Sequence, residues 1–185
     1  MPRTGQLRYL YLAYFSQPAS ERSLYRLIRR EKPQRIVEIG IGRAQRAVRM
    51  IQVAARYRGG ADNIRYAGID LFEARPVPAS GMSLKEAHRV LKATAARVQL
   101  IPGDPLSALT RTANALAGTD LLVISAGHEP ASLDAAWFYV PRMLHSGTRV
   151  LVEVPASAEN GPVLRAIERS EIDALASRSR RRRAA

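Results

Sequence analysis

Along this chain, short apolar runs rich in β-branched residues alternate with longer stretches whose apolar positions recur every three or four residues. The runs cover residues 35–39, 65–70, 98–101, 120–125 and 149–154, each of a length suited to a buried strand. Between them, residues 43–57, 83–95, 105–116 and 132–144 carry the helical period, and further helices are predicted at 20–30 and 161–176. Strand and helix alternating at this interval imply right-handed βαβ crossovers, a mostly parallel sheet and helices on both of its faces. The punctuation agrees. Pro33 ends the leading helix, Gly59-Gly60 closes the helix after the first strand, and Pro105 stands in the first turn of another. Ser83 with Glu86 three residues later forms a capping box. In such a sheet, ligands bind beyond the carboxyl ends of the strands. The residues just after each strand are therefore the ones to read for chemistry.

Composition narrows the class. The chain has 185 residues, 46% of them hydrophobic, which suits one compact domain and argues against disorder. Residues 1–177 read as that domain, with 1–19 as an N-terminal arm or lid and 178–185 as a basic, disordered tail. The aromatic stretch 9–15 is either a turn or two of helix over the cleft or a short extended arm, with packing onto the sheet the favoured outcome. There is no cysteine, which excludes disulfides, thiolate zinc sites and cysteine nucleophiles. No run approaches the roughly 18 apolar residues of a membrane span, and no signal core opens the chain. The expectation is a soluble cytoplasmic protein without membrane contact. The net charge of +13 is almost all arginine, the lysines being Lys32, Lys85 and Lys92. Arg178, Arg180, Arg181, Arg182 and Arg183 fall in the last eight residues. This bias reflects either genome composition or a footprint for a polyanion such as nucleic acid. A basic tail would tether nucleic acid loosely and read no sequence.

Four segments at strand ends carry candidate chemistry. Glu38-Ile39-Gly40-Ile41-Gly42 ends the first strand, and its glycines let the backbone approach a ligand closely and turn into a helix whose free N–H groups favour an anion. A tight turn with no ligand would use the same residues. Asp70, followed by Leu71, Phe72 and Glu73, ends the second strand and could accept hydrogen bonds from ribose hydroxyls, or be a solvated strand-end acid. Gly103-Asp104-Pro105 follows the third, where Asp104 would take an exocyclic amine with Pro105 against a ring, or simply cap a helix. Ser125 and His128 lie at the mouth of the fourth strand, in reach of a substrate. His128 could act as a general base or stand merely in solvent, with Glu129 and Glu153 the nearest carboxylates in prospect. One histidine with scattered acids is not a metal motif.

Taken in this order, the four segments resemble the class I S-adenosylmethionine (SAM)-dependent methyltransferase superfamily over roughly residues 24–154. The resemblance implies a Rossmann-like sheet of about five strands in the order 3-2-1-4-5. It further implies that SAM is the cofactor, with Gly40 and Gly42 under its methionine part and Glu38 ordering that end. Asp70 would then hold the ribose, Leu71 or Phe72 would lie against the adenine, and Gly103, Asp104 and Pro105 would meet the adenine amine. The stretch 120–128 is similar to the fourth-strand segment of small-molecule methyltransferases.

Two departures stand out. Ser125 occupies the place where those enzymes often carry a metal-binding or catalytic aspartate, and Glu153-Val154-Pro155 ends the fifth strand where a metal-dependent relative would have one. The family's sixth and seventh strands, an antiparallel pair, look absent, which would leave a sheet edge for a second copy of the chain or the tail helix to cover. A nicotinamide fingerprint is ruled out by Gln45 in place of a third glycine, and a phosphate-binding Gly-Lys-Ser/Thr is missing. The reading is methyl transfer to a small-molecule acceptor, with His128 and Ser125 the candidate catalytic residues and no metal. A non-catalytic binding module and a nucleic-acid-associated methyltransferase are the alternatives.

Overall fold

In the computed structural model, the strand order is β3-β2-β1-β4-β5-β6, and β6 closes one edge antiparallel to β5. The structure describes residues 6–17, 19, 21–76, 81–154 and 162–184. The outermost parts of the expected N-terminal arm and tail, and the start of the helix expected at 161, lie outside the described residues. The strands are β1 (Arg35–Ile39), β2 (Arg65–Asp70), β3 (Arg97–Pro102), β4 (Thr119–Ile124), β5 (Leu144–Val154) and β6 (Val163–Ile167). The helices are α1 (Gln6–Tyr14), α2 (Glu21–Glu31), α3 (Gln45–Tyr57), α4 (Leu84–Lys92), α5 (Pro105–Thr112), α6 (Pro130–Ala136) and α7 (Arg169–Ala184). Among the described residues, no helix is long and apolar enough to cross a membrane.

Alternation along the strands splits the core in two. Ile36, Tyr66 and Leu121 face the layer of α1 to α4, whereas Val37, Ile39, Ile69 and Leu122 face α5, α6 and α7. The punctuation acts as read. Ser83 forms its capping box with Glu86, and Asp104 caps α5 just ahead of Pro105.

The edges and the N-terminus differ from the sequence reading. The stretch 132–144 is not one helix: α6 stops at Ala136, and a short 3-10 turn over Val140–Arg142 leads into β5, which starts at Leu144. Pro141 has no N–H to give an α-helix and breaks it there. The sixth strand, expected to be missing, is present. Val163–Ile167 pairs with Val150–Val154, and buried Leu164 and Ile167 turn toward the core. The open edge of β5 decides this, because a strand there satisfies backbone groups that a helix would leave unpaired. The final helix therefore starts at Arg169, not 161, and it runs through the arginines expected to be disordered. Ser179 donates to the Ala135 carbonyl and Arg182 pairs with Asp134 at 2.8 Å, tying α7 to α6. At the other terminus the aromatic stretch forms α1. Tyr9, Leu12 and Ala13 bury themselves beside α2 and α3, with Tyr9 edge-on to Tyr57.

Candidate functional site

The turn from β1 into α3 passes through three residues in the left-handed region: Gly40 (φ 87°), Gly42 (φ 59°) and Ala44 (φ 58°). At Gly40 a side chain is excluded twice over. A Cβ there would meet His128 Nε2 at 2.7 Å and Ser125 Cβ at 2.8 Å. At Gly42 a Cβ would meet nothing within 4 Å, because that side of the turn faces an open cavity of about 770 Å³. The cavity lies at the carboxyl ends of the strands, where the α/β topology predicts a ligand. Gly40, Gly42, Asp70, Leu71, Ser125 and His128 are among the residues that line it.

Asp70 reaches the turn from the tip of β2. Its Oδ2 accepts the Gly42 N–H at 3.0 Å and lies 2.5 Å from Arg75 Nη2. Its Oδ1 has only a long contact, 3.4 Å, from the Phe72 N–H. Leu71 lines the cavity, but Phe72 adopts a positive φ and turns into the core on the α3 side. Only Leu71 of that pair is thus offered to a ligand.

The β4–β5 side of the cavity is organised by Arg46, in the first turn of α3. Its Nε donates to Glu38 Oε1 at 2.7 Å, and its other nitrogens reach Ser125 Oγ, Glu153 Oε1 at 3.5 Å and the Gly40 carbonyl. Glu38 is fully buried and also accepts the Tyr66 hydroxyl at 2.6 Å. Ser125 Oγ donates to the Gly40 carbonyl at 2.6 Å, and Glu153 Oε2 accepts the Ala126 N–H. Burial pushes the Glu38 carboxyl up, against the pull of Arg46 and Tyr66. Burial would likewise discharge Arg46, but the carboxylates of Glu38 and Glu153 outweigh it and hold the guanidinium charged. Burial and Glu38 together push the Tyr66 hydroxyl well above the ordinary tyrosine range.

Asp104 points elsewhere. Its Oδ1 accepts the N–H groups of Leu106 and Ser107 and the Ser132 hydroxyl at 2.5 Å. Partial burial works to raise this carboxyl, yet the hydrogen bonds from Ser107, Ser132 and Leu106 bring it down to about 2. It serves as the α5 cap, with Pro105 buried behind it, while Gly103 lines the cavity. The His128 ring lies over Gly40, and its Nε2 is buried without a hydrogen-bond partner among the described residues.

Sequence reasoning missed Arg46 and Arg75. Arg46 had a signal, since a residue in the first helical turn after a strand-end glycine pair lies over the strand tips. Arg75 had none.

A scan against protein-family models and a search of curated proteins return no match. Solved structures do match. The MycE methyltransferase of the mycinamycin biosynthetic pathway, in complex with Mg and S-adenosylhomocysteine (SAH), is 18% identical with a TM-score of 0.53 over 83% of this chain. The O-methyltransferase TomG from Streptomyces achromogenes, in complex with SAM, is 16% identical at 0.53 over 90%. An O-methyltransferase from Bacillus cereus, in complex with SAH, is 16% identical at 0.54 over 76%. The fold is that of the class I methyltransferases. This chain spans 40% of the MycE chain, 66% of TomG and 58% of the Bacillus cereus enzyme. Glu38 and Glu153 are taken up by the Arg46 guanidinium, and no group of three or more His, Asp or Glu side chains among the described residues is arranged to hold an ion.

Proposed function

We propose that this protein transfers a methyl group from SAM to a small-molecule acceptor without a metal. The observation that carries the reading is the Gly40–Gly42 turn facing Asp70 across an open cavity, with one carboxylate oxygen nearly free. SAM fits these residues. Gly42 has no side chain to obstruct it, Asp70 Oδ1 can accept a ribose hydroxyl, and Leu71 offers an apolar surface to an adenine. The Asp104 cap leaves the adenine amine to the backbone around Gly103.

When bound, SAM would supply a methyl group on a positively charged sulfur, ready for transfer to a nucleophile. The chain's task is then largely alignment. Glu38 acts through Arg46, fixing the guanidinium beneath Ser125 and the Gly40 carbonyl. Glu38 and Glu153 together exceed Arg46 by one negative charge, which favours a cation at this end of the cleft. His128, on the cavity wall beside Gly40, would take the proton from a hydroxyl acceptor. The MycE complex that holds mycinamycin VI beside SAH supports the small-molecule class without naming the acceptor here.

The test is acceptor-dependent formation of SAH from SAM, with a chelator present, over a panel of phenols, catechols and carboxylic acids. Turnover that falls about a hundredfold in His128→Gln, with SAH affinity kept, supports the reading. One observation favours a non-catalytic module instead: Arg75 already sits on Asp70. SAM binding with no turnover across the panel would decide for the module.

A further inference from the structure

The amino ends of the strands, at the opposite end of the sheet from the cleft, carry a second assembly. β1, β2 and β3 each begin with an arginine, and the parallel register sets Arg35 beside Arg65 and Arg65 beside Arg97. Residues in register share a face, so the three guanidinium groups leave the sheet on the same side as Val37, Ala67 and Gln99. Neighbouring strands are about 4.8 Å apart, so the row spans roughly 10 Å. Three like charges so close repel one another and call for an anion.

Among the described residues none is paired with Arg65 or Arg97. Arg65 and Arg97 are exposed, and their guanidinium groups make no hydrogen bond or ion pair among the described residues. Arg35 gives one N–H to the Ala117 carbonyl. Asp120, the carboxylate at this end, is engaged by the backbone N–H groups of Gln34 and Arg35 and by His145. The arginines rim a cavity of about 400 Å³ that also has Val37, Ala67 and Leu116 in its lining. It exists because α5 has only eight residues and covers the carboxyl half of this face: Ile101 is buried, whereas Gln99 and Arg97 are exposed.

We propose that this groove binds a phosphorylated small molecule of nucleotide size, its phosphates on the Arg35–Arg65–Arg97 row and its ring against the apolar wall. A guanidinium fork matches phosphate oxygens, and a diphosphate answers several arginines where one carboxylate would answer one. The volume falls at the small end of ligand pockets, about 300–1,000 Å³. The site is independent of the function assigned to the cleft.

The test is calorimetry of the full chain with pyrophosphate and with adenosine diphosphate, each repeated with SAH in excess. Both are expected to bind, the diphosphate ester more tightly, with no competition from SAH. Arg65→Gln/Arg97→Gln should weaken both by about tenfold or more, because charge-assisted hydrogen bonds are lost. Arg181→Gln/Arg182→Gln should change neither. Both altered arginines in the groove are exposed and unpaired, so the fold survives their loss. The proposal is overturned by absence of binding, by competition from SAH, or by affinity unchanged in Arg65→Gln/Arg97→Gln. It is equally overturned if only oligonucleotides bind, with an affinity that follows the α7 arginines.

Discussion

The two sides of the cleft are built on different physics. On the β1–β2 side, a glycine turn meets one carboxylate, and that carboxylate is held by a backbone N–H and by Arg75, itself carried on the segment after β2. On the β4–β5 side, Glu38, Arg46, Ser125 and Glu153 bring together residues from β1, α3, β4 and β5 in a buried network with little access to water. The first borders the open cavity and leaves Asp70 Oδ1 with only one long contact. In the second, removing Arg46 or Glu38 leaves its partner's charge buried without its 2.7 Å counter-ion. On the proposed reading, the ribose contact falls on the first side, whereas the second holds the buried ion-pair network.

The largest effect separates those roles. Arg46→Met should cost about 3–5 kcal/mol in urea denaturation, since Glu38 is left charged in the core, and Glu38→Gln added to it should recover much of the loss. Arg75→Met should cost less, because Asp70 keeps the Gly42 N–H and borders the open cavity, and equal losses at the two arginines would erase the distinction.

Next in size is the α5 cap. Asp104→Ala should destabilise by about 1 kcal/mol at neutral pH. The Asp104 carboxyl lies at about 2 when folded against an ordinary 3.8. Its contribution is therefore complete above about pH 5, declines below the ordinary 3.8 and disappears as the pH falls through 2. Wild type and variant should converge in acid melts, whereas an unchanged gap would point to packing and not charge.

Smaller again, Arg75→Gln should tighten SAH binding several-fold by releasing Asp70, and weaker binding would make Arg75 part of the ligand site. Ala44→Gly should be nearly neutral in stability. Relief of a left-handed alanine, about 1 kcal/mol, is offset by loss of a buried methyl worth about 0.8 kcal/mol.

The same contrast governs what could be read from the sequence. Gly40, Gly42 and Asp70 were legible because each is a local signal, a residue type needed at the tip of a strand. The Arg46 network was not, since Arg46 and Glu153 are 107 positions apart and meet only once the sheet has formed. Residues 163–167 carry too short an apolar pattern to distinguish strand from helix, and the exposed edge of β5 made the choice. Asp104 had both a capping and a binding reading, and its Oδ1 takes the cap bonds. The row of Arg35, Arg65 and Arg97 needs the strand register, which no single segment contains.

The central claim, that Asp70 and the glycine turn form a cofactor site, is tested most directly by calorimetry of SAH with wild type and Asp70→Ala. Saturable one-to-one binding by wild type is expected, weakened about tenfold or more in the variant with an unchanged far-UV spectrum. Equal affinity in the two proteins, or no binding by wild type, would contradict it.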